Sequence, residues 1–268
     1  MRVCAIGDLT LDVVVRLAGP LATGGDVDAE IGISPGGQAA NVAAWAAALG
    51  AEARFVGKRG DDDAGRLAAS GLRERGVEVC GPAEGRNAVI CSLVAPDGER
   101  SMASDRQAAT ALARAEIELD WLDGCDHFFV SGYALMRSPA RDAAERAVAL
   151  ARGGGSVISV DLASWSAIED VGVAVFRATV ESVAPDVVFA SEHEDRVFGG
   201  PLPGVTWILK RGARGCSFDG DERTALPVEH VVDSTGAGDA LAAGWIVGGP
   251  DLALEAAARC VARLGSMP

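Results

Sequence analysis

Short runs rich in Val, Ile and Phe recur along the chain, and Ala-, Leu- and Arg-rich stretches of helical length lie between them. Neighbouring parallel strands need a long crossover, which a helix supplies, so this alternation is the feature that most restricts the fold. Strands are expected at Val3–Ile6, Ala53–Val56, His127–Ser131, Val157–Val160, Val187–Ala190 and Thr206–Leu209. Helices are expected at Gln38–Leu49, Asp63–Arg75, Pro139–Arg152, Glu192–Phe198, Ala240–Val247 and Leu252–Leu264. The fold class is α/β, a three-layer αβα sandwich with a mostly parallel central sheet.

Two segments break the alternation. Leu11–Leu17 with Asp26–Ile33, and Asn87–Ala95 with Glu99–Ala103 across the turn Pro96-Asp97-Gly98, read as paired strands without crossover helices. They predict a small antiparallel β lid, inserted at about 11–33 and 87–104 of a single domain spanning 1–268. Such a lid covers a ligand or pairs with another subunit, and exposed sheet edges that need cover favour a homodimer through it.

The 268 residues suffice for a packed core without disulfide or metal support. With 24 Lys and Arg against 38 Asp and Glu the net charge is −14, which argues against a general nucleic-acid or anionic-membrane binder. A local anion site remains open. The six cysteines are scattered, with no CxxC pair and no His at ligand spacing, and read as reduced thiols in a cytoplasmic protein. No signal-peptide pattern opens the chain, and no apolar stretch is long enough to span a bilayer. His127 and His230 read as core or surface histidines, and Trp45 and Trp165 as packing residues rather than cofactor platforms.

The strongest chemical signal is Asp233-Ser234-Thr235-Gly236-Ala237-Gly238-Asp239 ahead of a helix. Small residues at a helix start let backbone N–H groups converge on an anion, and the helix dipole adds positive potential. Asp239 at the edge of that hole is placed to accept a proton from an attacking hydroxyl. The plainer alternative is a helix capped by Ser234 or Thr235. A second motif, Gly36-Gly37-Gln38-Ala39-Ala40-Asn41-Val42-Ala43, puts glycines before a helix and a polar Asn41 on its inner face, where it needs a partner. No GxxxxGK[ST] loop is present, so this is not a P-loop protein, and no GxGxxG follows the first strand.

Together the two patterns resemble the two signature motifs of the ribokinase-like (PfkB) carbohydrate kinase family. The resemblance extends through Gly7-Asp8-Leu9-Thr10-Leu11-Asp12, through Val56-Gly57-Lys58-Arg59-Gly60-Asp61-Asp62, and through Asp97-Gly98-Glu99-Arg100 with Asp105-Arg106. It implies ATP-dependent phosphoryl transfer to a hydroxyl of a sugar or sugar-containing molecule, a nucleoside included. By position Asp239 matches the catalytic base, and Gly236, Ala237 and Gly238 match the hole that stabilises the transferring phosphoryl group. Asp12, Gly36, Gly37 and Asn41 match positions that hold substrate hydroxyls. Ser191 and Glu194 fall where the family has Asn-x-x-Glu near Mg2+, with Ser191 replacing the Asn and Glu194 expected to reach Mg2+ through water. An N-terminal capping box is the alternative there. Lys210, Gly212 and Gly215 fall where nucleotide contacts are expected, with Lys210 in place of a Thr or Ser, or else a solvated loop charge. Asp233 and Thr235, with the stretch Arg263–Ser266, match the region where relatives bind a monovalent cation, K+.

Asp161, at the carboxyl edge of its strand, is a candidate for substrate or phosphate contact, with a turn cap as the alternative. Arg106 and Tyr133 are candidates on the same ground, against surface charge and half-buried packing. The chain departs from the family at Gly200-Pro201-Leu202-Pro203-Gly204, where most relatives have another helix, and in stopping at Pro268, where they continue into a final one. A sugar-binding or regulatory protein with weakened catalysis is therefore the rival to an active kinase.

Overall fold

The computed structural model describes residues 1–21, 23–96 and 100–268, without the side chain of Arg100; the expected turn and motif at Asp97, Gly98 and Glu99 lie outside the described residues. The chain runs β1 (Arg2–Ile6), β2 (Thr10–Leu17), β3 (Ala29–Gly36), α1 (Gln38–Ala48), β4 (Glu52–Val56), α2 (Asp63–Glu74), β5 (Val77–Cys80), β6 (Ala88–Val94) and β7 (Arg100–Asp105). It continues through β8 (His127–Ser131), α3 (Gly132–Met136), α4 (Ala140–Gly153), β9 (Val157–Asp161), α5 (Trp165–Val171), α6 (Val173–Ser182), β10 (Val187–Ser191) and α7 (Glu192–Phe198). Last come β11 (Thr206–Lys210), β12 (Cys216–Phe218), β13 (Asp221–Arg223) and α8 (Ala237–Val261).

Nine strands form one sheet in the order β13-β12-β11-β10-β9-β8-β1-β4-β5, parallel from β11 to β5 and antiparallel only at β12 and β13. Successive side chains on a strand point to opposite faces, and β1, β4, β8, β10 and β11 are apolar on both. Val3, Ala5, Phe129, Phe189 and Ile208 pack into one core beneath α1, α2 and α8. Cys4, Ile6, Phe128, Val130, Val188 and Trp207 pack into the other, beneath α4 to α7. This is the expected sandwich.

The lid is a four-stranded sheet in the order β3-β2-β6-β7. Its two hairpins are antiparallel as expected, and they are joined through a parallel β2–β6 pair that aligns Asp12 with Ile90. The lid therefore closes into one surface although its halves come from separate insertions.

The two helices expected at the carboxyl end form one element broken at Gly248 and Gly249, whose backbone is non-helical, with Pro250 opening the second half. Its first half begins at Ala237 rather than Ala240, and the second ends at Val261 rather than Leu264. Elements α3, α5, α6, β5, β12 and β13 were not expected from sequence. Between Phe198 and Thr206 there is no helix, as the sequence indicated. All six cysteines are free, and all but Cys91 are buried.

Candidate active site

The chain moves outward from β1 to β4 and β5 on one side, then returns to β8 and proceeds to β11 on the other. A crevice opens at the carboxyl edge of such a sheet where its order reverses, here between β1 and β8. Asp8 follows β1, while Ser131, Asp161, Ser191 and Lys210 end β8, β9, β10 and β11. The amino ends of α1 and α8 point into the same region, so both glycine motifs meet there.

Gly236 is the N-cap of α8, with φ 77° and no side-chain cap, so the expected alternative of a Ser234 or Thr235 cap is not what the chain adopts. The left-handed backbone calls for glycine, and a Cβ at Gly236 would lie 2.6 Å from Cβ of Ser266. The Ala237 N–H is directed at the Ser234 carbonyl at 3.3 Å, whereas those of Gly238 and Asp239, in the first turn, have no intrahelical acceptor. A Cβ on Gly238 would stand 3.3 Å from Nζ of Lys210. Backbone donors and one ammonium thus converge on a place kept clear of side chains.

Asp239 is half-buried beside this hole. Its Oδ2 accepts a hydrogen bond from Asn41 Nδ2 at 2.8 Å, and Ser266 Oγ donates to Asn41 Oδ1 at 3.0 Å. The partner that Asn41 needs is therefore the carboxylate of the other motif. Burial, and after it the negative charge of Asp161, push Asp239 up to about 8, against the opposing pull of the Asn41 amide and Lys210.

Lys210 is half-buried rather than a solvated loop charge, and its Nζ donates to Asp161 Oδ2 at 2.5 Å. Burial disfavours its charge, but Asp161, Glu194 and Asp239 outweigh that and hold the ammonium above its usual range. The other oxygen of Asp161 accepts the Ala163 N–H at 3.0 Å, so one carboxylate both caps a turn and pairs with the lysine.

On the substrate side, Asp12 Oδ1 accepts the Thr10 hydroxyl at 2.6 Å. Burial raises Asp12 to about 6, with Thr10 opposing and Asp8 adding to the rise. A Cβ on Gly36 would meet Asp12 Oδ2 at 2.1 Å, so that glycine makes room for the carboxylate. Gly37, at φ 103°, lies against the Asp8 carbonyl. The Arg106 guanidinium stacks 4.1 Å from the ring centre of Tyr133 and lies 3.7 Å from Asp8. Both are drawn into the site. A cleft of about 550 Å³ continues from Asp12 along Val14, Arg16 and Met102 of the lid, faced by Val232 and Thr235.

The nucleotide-side candidates divide. Ser191 and Glu194 form the capping box, Ser191 N–H reaching Glu194 Oε2 at 2.6 Å and Glu194 N–H reaching Ser191 Oγ at 3.3 Å. Gly215, at φ 97°, packs against the Arg223 carbonyl, so turn geometry alone explains it; Gly212 faces open space. Asp233 is committed internally: Oδ1 accepts from Thr235 N and Oγ1 at 2.9 and 2.6 Å, and Oδ2 from Gly265 N at 3.1 Å. Among the described residues no three His, Cys, Asp or Glu side chains converge to hold a metal. A Mg2+ here fits the pattern in which substrate phosphates supply most of its ligands.

Two residues of this constellation were given no role beside Asp239 by the sequence reading: Asp8, quoted only within the motif after the first strand, and Ser266, quoted only within the stretch Arg263–Ser266 matched to a monovalent-cation region. Among the packing residues, His127 is buried and pairs with Ser159 at 2.9 Å, burial pushing it down to about 4. Trp45 is fully buried, whereas Trp165 is 47% exposed and so departs from the packing expected of it.

Residues 1–267 match the model of the pfkB family carbohydrate kinases. The chain belongs to this family. Fructokinase-1 of Oryza sativa subsp. japonica is 31% identical over 263 residues, covering 89% of this chain and 80% of that protein. Aminoimidazole riboside kinase of Salmonella typhimurium is 32% identical over 231 residues, covering 79% and 72%. In fold, this member of the pfkB family is similar to adenosine kinase from Sinorhizobium meliloti, with TM-score 0.85, 23% identity and 99% and 95% of the two chains covered. It is equally similar to an E. coli protein described as a ribokinase II in complex with ATP and Mg2+, with TM-score 0.85, 24% identity and 99% and 94% covered. No helix among the described residues is long and apolar enough to cross a membrane.

Proposed function

We propose that the chain transfers the γ-phosphoryl group of ATP to a hydroxyl of a small sugar or a sugar-containing substrate such as a nucleoside. The observation that carries this is the juxtaposition of Asp239, tuned to about 8, with the side-chain-free amide hole of Gly236, Ala237 and Gly238. Asp12, Gly36, Gly37, Asn41, Asp161 and Arg106 border the space for the acceptor, and Asp12 is the carboxylate best placed to orient its hydroxyls. Asp239 takes the proton from the reacting hydroxyl as its oxygen bonds to the γ-phosphorus and the bond to the bridging oxygen of ADP breaks. The amides and Lys210 stabilise the charge on the transferring group. Glu194 would hold Mg2+ through water, and the ion would supply charge neutralisation on the phosphates. Lys210, Gly212, Gly215 and Ser191 border the nucleotide, and Asp233 and Thr235 are the candidates for K+.

The deciding experiment measures ATP consumption across pentoses, hexoses, sugar acids and nucleosides. Turnover with one of them is expected, and Asp239→Asn is expected to reduce kcat by roughly 10²–10⁴-fold while acceptor binding persists. Full activity in that variant overturns the assignment. The rival, a sugar-binding or regulatory protein, draws on Ser191 and Glu194 being locked to each other; binding without turnover across the panel would establish it.

We also infer a homodimer through the outer face of the lid. There Ile31 and Ile33 are 62% and 58% exposed, in register with Val15 and Val13. A second copy of the same face provides matching apolar cover.

A further inference from the structure

Ser266 lies in the tail beyond α8, far in sequence from both signature motifs, yet it touches each of them. Its hydroxyl donates to Asn41 Oδ1, and Gly236 packs directly on its Cα and Cβ. Its backbone is pinned independently: the Ser266 carbonyl accepts the indole N–H of the buried Trp45 at 2.8 Å, and the preceding Gly265 N–H bonds Asp233. Met267 is buried in the core beneath α1 and α8, and the Pro268 carbonyl accepts from Arg75 at 3.3 Å. The hydroxyl is therefore held in place by the fold rather than by Asn41.

We propose that Ser266 is a positioning residue for phosphoryl transfer, acting through Asn41 to hold the Asp239 carboxylate in the orientation that accepts the substrate proton. This rests on Asp239 being the base. A carboxamide has one donating and one accepting end, whereas an ionised carboxylate only accepts. Asn41 must therefore turn Nδ2 toward Asp239, which leaves Oδ1 pointing to the tail. Asn41 is 6% exposed, so that oxygen has little recourse to water and needs an internal donor. Ser266 supplies it. Without the hydroxyl, this orientation leaves Oδ1 buried without its donor and is weakened, and the flipped form would set that oxygen against the carboxylate.

Several charges also face Asp239, and none of them depends on Ser266. Asp161 and Lys210 approach from β9 and β11, and Asp8 from the turn after β1. The neighbouring Cys260 thiol is pushed up to about 12, chiefly by burial, and stays neutral through the assay range.

The test compares the full chain with Ser266→Ala, with Ser266→Cys (nearly the same volume but a poor donor) and with Ser266→Thr, at saturating ATP and acceptor and fixed KCl. Ser266→Ala and Ser266→Cys are expected to lower kcat about tenfold at pH 7 with KM for ATP unchanged. The acid limb of the pH profile should move to higher pH, because Asn41 no longer favours the ionised carboxylate, and the deficit should shrink above pH ~9 as hydroxide restores that form. Ser266→Thr should restore the profile, and Ser266→Ala added to Asn41→Ala should cost nothing more. An unshifted acid limb in both Ala and Cys variants, no rescue by Thr, or additive losses would overturn the proposal. If Asp239→Asn keeps full activity, it is the assignment of the base that fails instead.

Discussion

The protonation of one carboxylate governs what this site can do. A base works only when ionised, and burial beside Asp161 holds Asp239 at about 8 in the free protein. Activity measured as kcat/KM should therefore rise with pH through about 8, close to tenfold per unit below that value, and pH-rate measurements from 5.5 to 9.5 check it. A flat profile across that range would show that Asp239 is not the titrating base. The same shift has a consequence for stability. A carboxyl whose pKa is raised on folding contributes stability that is complete below its unfolded value and is lost as pH rises through the folded one. The neutral Asp239→Asn variant should consequently be more stable than the parent at pH 8, on the order of 1–2 kcal/mol after allowance for partial solvent exposure. The gap should narrow toward pH 4, and urea titrations at both pH values measure it.

Helix α8 ties the proposed catalytic site to the core. Its first turn is the proposed anion hole, and after the break at Gly248 and Gly249 its second half returns across the first. A Cβ on Gly244 would lie 2.5 Å from the Leu252 carbonyl and 2.7 Å from Cα of Ala253, so the crossing is backbone against backbone. Gly244→Val should cost about 3 kcal/mol or more, visible as a lower urea midpoint, because neither half can move without disturbing the buried Ala240, Ala243 and Ala253. The Gly-Gly-Pro sequence made this break legible beforehand, since glycine and proline punctuate helices for known steric reasons. Other elements were not legible. Gly172, at φ 99°, both ends α5 and opens α6, and Val171, Val173 and Val175 around it give no helical period. The three-residue strands β12 and β13 are shorter than any pattern that alternation can reveal. The alternative caps at Ser234 and Thr235 were not adopted because Gly236, backed by Ser266, already imposes a left-handed start.

Over the whole molecule, sequence exposed the two motifs but not their connection. Asn41 and Asp239 are 198 positions apart, and their hydrogen bond exists because α1 and α8 pack side by side over one face of the sheet. The register that puts Asp12 and Ile90 on the cleft side of the lid likewise arises from a parallel pairing that no local pattern announces. That register also decides what the other side presents. With Asp12 facing the cleft, Val13, Val15, Ile31 and Ile33 must face outward. Leu11 and Pro35, nearer the body, are covered by it, Pro35 standing against Gly71 of α2, while Ile31 and Ile33 project beyond. Replacing both by Glu would set like charges face to face across a two-fold contact, without touching the cleft side that holds Asp12. Sedimentation at micromolar concentration should show the parent as a dimer and the Ile31→Glu, Ile33→Glu variant as a monomer. Since among the described residues the two hairpins are joined through the β2–β6 pair, loss of the proposed partner should loosen the lid and raise KM for the acceptor more than it lowers kcat. A monomeric parent, or a variant that remains dimeric, would remove the lid as the interface.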